Sequence, residues 1–165
     1  MAIGLLTLAL CGTAALCATL LLGYQLPADP GAVKRHFLAA LGSTTILVMA
    51  HSFIMFFLIA TGAEMKEVEK QQGWGDSFRR RTVGMKSRVF PLMTLALLLV
   101  MANFILGAAA HTRALAGWVH GALAWTTLAV CVATLYREYR VLGENNRLID
   151  EVATRRRSRS SGPPA

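Results

Sequence analysis

The chain has 165 residues and a formal charge of +8, with 55% hydrophobic but only 16% charged residues. Globular domains average roughly 25% charged residues, and here the shortage is concentrated: no Asp, Glu, Lys or Arg occurs in residues 1–28, 37–63, 89–112 or 114–136. Each stretch exceeds the ~20 apolar residues that cross a hydrocarbon core of about 30 Å, and none has the polar face of a soluble helix, which sets aside a soluble globular domain.

The expected fold is all-α: an integral membrane bundle of four transmembrane helices, followed by a cytoplasmic helix (137–153) and a disordered basic tail (154–165). Span one covers 2–23. It has no basic residue before its apolar run, which continues to Leu26, so it is expected to be a helix and not a secretory signal. The connector 24–36 holds Pro27, Pro30 and Gly31 and predicts an irregular loop. Span two covers 37–62. Its helix is expected to continue through Lys70, supported by a Glu67–Lys70 pair at i,i+3, until Gly73, Trp74 and Gly75 interrupt it. Trp74 suits the headgroup level. A basic segment, 78–88, leads into span three (89–110), with Pro91 in its first turn, where a missing N–H does no harm. The short turn at His111, Thr112 and Arg113 predicts an antiparallel hairpin with span four (114–136).

Seven Lys/Arg lie between spans two and three and seven follow span four, whereas the other two connectors hold three in all. The positive-inside rule then predicts an inner, plasma-membrane protein with both termini cytoplasmic. The basic residues are not interleaved with stacking aromatics, so no nucleic-acid partner is expected. Arg155, Arg156, Arg157 and Arg159 suit anionic lipid headgroups. All three cysteines fall inside spans, and no disulfide is expected.

No HExxH, phosphate loop or GxSxG occurs, and the four predicted spans contain no carboxylate, which argues against a proton relay. The histidines remain. His51 lies about 21 Å past Phe37, near the midplane, whereas His120 lies only about 9 Å past Ala114, so the two cannot clamp one haem. His51 is expected to point inward, sharing a side with Thr44, Val48, Met55 and Gly62, and to be satisfied by Thr127 or a backbone carbonyl. An alternative makes His51 an axial ligand of haem b, opposite Met101 or a second copy's histidine, or a contact to a quinone carbonyl. His120 is expected to bond Asn103 at the same depth. A metal site of His36, His111 and His120 is a weaker alternative.

On span four, Gly117, His120, Ala124, Thr127, Cys131 and Thr134 form a small, polar stripe suited to close helix contact. Beyond it, Leu135, Tyr139, Leu142, Asn146, Ile149 and Ala153 suggest a short heptad seam. These features lead to the expectation of a non-catalytic accessory or assembly subunit of a larger membrane complex or homo-oligomer. Electron transfer through His51 and a small-molecule channel or exporter are the alternatives.

Overall fold

The computed structural model describes residues 1–25 and 31–160. Among these, every regular element is a helix: α1 (Ala2–Gly23), α2 (Ala32–Gln72), α3 (Ser77–His111) and α4 (Gly117–Ser160). All four are long and apolar enough to cross a membrane. The predicted loop residues Pro27 and Pro30 and the tail beyond residue 160 lie outside the described residues.

Successive helices run antiparallel. α1 packs on α2, α2 on α3, α3 on α4 and α4 back on α1, which leaves α2 and α4 across the diagonal. Small residues permit the close contacts. A Cβ added at Gly12 of α1 would stand 3.0 Å from Leu47 of α2. The turn between α2 and α3 is fixed by its own chemistry. Gly73 ends α2 at φ 66°, a left-handed conformation that glycine adopts without steric cost. Glu69, buried in the last turn of α2, accepts from the backbone amides of Phe78 and Arg79, two of the free donors at the start of α3.

The helices differ in length, and this shapes the molecule. α1 has 22 residues, whereas α2, α3 and α4 have 41, 35 and 44. At about 1.5 Å per residue α1 is about 33 Å long and α4 about twice that. The three long helices therefore continue past α1 as a stalk, cored by Met65, Phe78, Met85, Leu148 and Val152. Arg81–Glu151 and Arg88–Glu144 pair α3 with α4 along its flank, seven residues apart on each helix.

Three sequence expectations change. Pro91 is not at a first turn, because α3 begins at Ser77; it lies well inside the helix. It sits where the buried positions Phe78, Thr82, Met85, Val89, Met93, Ala96 and Val100 depart from a heptad, with four-residue steps on both sides of Val89. Second, α4 stays helical through Ser160, where disorder was expected from Thr154. Arg155 lies over the Trp74 ring at 4.6 Å, and Arg159 donates to the Gln72 carbonyl, so the arginines fasten this last segment to the turn. Third, the buried seam of α4 is Thr127, Cys131, Thr134, Glu138, Val141, Asn145, Leu148 and Val152. It continues the stripe of span four in phase. The expected seam lies one residue out of phase with it: its Leu142 is buried in the core, but Tyr139 and Asn146 are exposed.

Candidate functional site

The two seams that face each other across the diagonal meet at a pair of ionisable side chains. On α2 the buried positions Leu47, His51, Ile54, Leu58 and Thr61 recur every three or four residues, so His51 points into the bundle and is 0% exposed. On α4 the same periodicity carries Glu138 inward, also 0% exposed, while its neighbour Arg137 faces out. His51 Nδ1 lies 2.6 Å from Glu138 Oε1. The core of the bundle is apolar and includes Ala50 and Ile54, the neighbours of His51 along α2, and Val89 and Met93 of α3. Two atoms of the pair, His51 Nε2 and Glu138 Oε2, are buried with no hydrogen-bond partner.

Its level follows from the helix contacts. Gly12 meets Leu47, and His51 lies four residues further along antiparallel α2, opposite residue 8 of α1. That is about 9 Å from the stalk-side end of α1 and about 22 Å from its other end, so His51 is off-centre towards the stalk. Seven residues further along α4, Asn145 Nδ2 donates to Thr61 Oγ1 at 3.3 Å, a second buried polar contact on the same diagonal.

Sequence reasoning missed Glu138 because span four was ended at the last residue before Arg137. The available signal was the phase of the stripe: Thr127, Cys131 and Thr134 project directly onto residue 138. The predicted spans hold no carboxylate, but one is buried in the bundle two residues beyond the predicted end of span four.

The remaining candidates fall elsewhere. Thr127 is buried but donates to the Leu123 carbonyl of its own helix, at 2.7 Å, and not to His51. Met101 is 45% exposed and lies nine residues towards the far end from Leu92, whose carbonyl Thr134 approaches. It is thus about 13 Å along the axis from that level and cannot stand opposite His51. A His51/Met101 haem clamp within one chain does not fit this geometry.

At the end of the bundle away from the stalk, His36 and His120 come together, with ring centroids 6.3 Å apart and planes at 87°. His111 stands exposed at the last residue of α3. Asn103 Oδ1 and His120 Nδ1 are both buried without a partner, so the expected bond between these residues is not made by either atom. Among the described residues no three His, Cys, Asp or Glu side chains converge.

Compared with protein-family models, curated proteins and solved structures, the chain matches none.

Proposed function

We propose that this chain is a proton-handling accessory subunit of a larger inner-membrane complex, with His51 and Glu138 as its exchangeable centre. The observation that supports this is the pair itself: two ionisable groups, wholly buried across the diagonal of four membrane-length helices, at 2.6 Å. Ionisable groups at such depth are costly and mark proton or substrate paths.

The pair has the parts of a relay. A proton accepted at His51 Nε2 is matched by transfer of the Nδ1 proton to Glu138 Oε1. The imidazole returns to neutrality as the other tautomer and the carboxylate becomes a carboxylic acid. Glu138 then turns its carboxyl and releases that proton from the Oε2 side, and the imidazole exchanges its Nε2 proton for one at Nδ1 before the next transfer, so protons and charge balance over the cycle. The unpartnered atoms, Nε2 and Oε2, are the entry and exit of that step. The Asn145–Thr61 contact extends the polar diagonal into the stalk. The excess of Lys and Arg on the helix ends that flank the 73–76 connection and on α4 supports a cytoplasmic stalk and cytoplasmic termini.

The test is infrared difference spectroscopy of the purified protein on moving from H₂O to D₂O and across pH. A protonated-carboxyl band that shifts in D₂O should vanish in Glu138→Gln and move in His51→Asn. Identical spectra for wild type and Glu138→Gln over the whole pH range would sink the proposal.

One observation favours a second function. His51 holds a carboxylate at Nδ1 and leaves Nε2 without a partner, the arrangement that orients an imidazole towards a ligand. With Met101 displaced from this level, a quinone carbonyl is the ligand of this kind, accepting from Nε2–H when His51 is protonated and gives its Nδ1–H to Glu138. Extraction of a quinone from the wild type but not from His51→Ala would select that function.

A further inference from the structure

The far end of the bundle has a feature the proton centre does not use. His36 Nδ1 lies 3.0 Å from the Thr19 carbonyl of α1. A carbonyl only accepts, so Nδ1 carries the hydrogen and the neutral ring presents its lone pair at Nε2. Each imidazole also rests in a glycine notch. A Cβ at Gly23 would stand 3.3 Å from His36 Cε1, and one at Gly107 would stand 3.1 Å from His120 Cε1. The two rings are thus set by α1 and α3 respectively, not by their own helices alone. Asn103 lies one turn before Gly107 on α3, and its Oδ1 is buried without a partner, as is His120 Nδ1.

We propose that His36 and His120 bind a divalent transition-metal ion of the imidazole-preferring class, Zn²⁺ or Cu²⁺, with the Asn103 amide oxygen as a third donor and water completing the shell. The spacing agrees. With metal–nitrogen bonds of about 2.0–2.1 Å, two imidazoles on one tetrahedral ion have centroids about 5 Å apart, and in a linear arrangement about 6.4 Å. The observed 6.3 Å lies near the upper of these limits, so a χ1 change of the half-buried His120 that carries its ring towards His36 closes the site. Hydrogen bonding of the first ring to a backbone carbonyl is the usual means of fixing a ligating tautomer. The bland alternative, two histidines packing edge to face, leaves His120 Nδ1 and Asn103 Oδ1 unexplained, since buried polar atoms ordinarily find partners.

The experiment titrates the full chain in detergent with Co²⁺, as a coloured probe for the Zn²⁺ site, and separately with Zn²⁺ and Cu²⁺. Saturable 1:1 binding is expected, reversed by chelator and weakened at least tenfold in His36→Asn and in His120→Asn. His111→Asn should bind as wild type does. Absence of saturable binding, or unchanged binding in both His36→Asn and His120→Asn, overturns the proposal. Should either variant lose its helical circular dichroism, imidazole ¹⁵N shifts of the wild type decide instead. Zn²⁺ should shift both His36 and His120, and resonances that do not move refute the site.

Discussion

Removing one member of the His51–Glu138 pair leaves the other charged or polar group stranded among apolar side chains. Breaking a buried pair in this way typically costs about 3–5 kcal/mol. Glu138→Ala and His51→Ala should each lower unfolding free energy by about that amount, measured by denaturant titration followed by circular dichroism. The double variant His51→Leu/Glu138→Leu should recover most of the loss, because it removes both desolvated groups and leaves a packed apolar centre. Recovery of stability without recovery of the infrared proton signal would separate the fold's need for the pair from its chemistry. The exposed pairs Arg81–Glu151 and Arg88–Glu144 belong to a different regime, since half-exposed ion pairs contribute only about 0–1 kcal/mol.

Within α4 the question is one of phase. Asn145 is 1% exposed and bonded to Thr61, while Asn146, next to it, faces outward. Asn145→Ala leaves a buried hydroxyl with one partner fewer and should cost about 1–3 kcal/mol, whereas Asn146→Ala should change stability by about 0.5 kcal/mol or less. Equal effects in chemical unfolding would show that the seam is misplaced. At the start of α3 two carboxylates act. Glu69 receives the Phe78 and Arg79 amides, so Glu69→Ala should cost about 0.5–2 kcal/mol, as lost helix caps do. Asp76 is held below the usual carboxylate range by its hydrogen bond to Arg80. A lowered folded value means that its contribution is complete above the ordinary value of 3.8 and fades as pH falls through the folded one. Amide protection at the first turn of α3, taken relative to the intrinsic exchange rate, should therefore fall in acid below pH 3.8, and Asp76→Asn should remove that acid-dependent step. The element boundaries themselves were partly legible. Gly73 announces the end of α2, but nothing local in Pro91 reveals that α3 begins fourteen residues earlier.

The whole molecule is a four-helix bundle that becomes a three-helix stalk, because α1 is about half as long as α2 and α4. The proposed orientation places the α2–α3 turn and the stalk on one side of the membrane and the α3–α4 turn on the other. Single cysteines at Ser77 and Thr112, in a chain lacking Cys11, Cys17 and Cys131, should react with an impermeant maleimide from opposite sides of sealed vesicles. Labelling of both from one side would refute a single crossing between the two ends of α3. The long antiparallel helices also separate the two candidate sites. His51–Glu138 lies towards the stalk, and His36–His120 lies at the far end, fifteen residues away on α2, or about 22 Å.

By itself, the sequence determined that this protein is four apolar helices joined by a polar turn at Gly73, a tight hairpin after His111 and basic segments distributed unequally. Those properties depend on local composition, and a run of uncharged residues long enough to cross lipid needs no partner to be recognised. It also identified His51 as inward-facing, since helical periodicity is a one-helix property. Only the tertiary structure decided what His51 faces. Glu138 is 87 residues away in sequence, and their meeting depends on the axial offset between α2 and α4. That offset is set by the lengths of α2, α3 and two turns together. The same holds for His36 and His120, which share no local motif: each ring is positioned by a glycine on a different helix, and no stretch of sequence contains both halves of the contact.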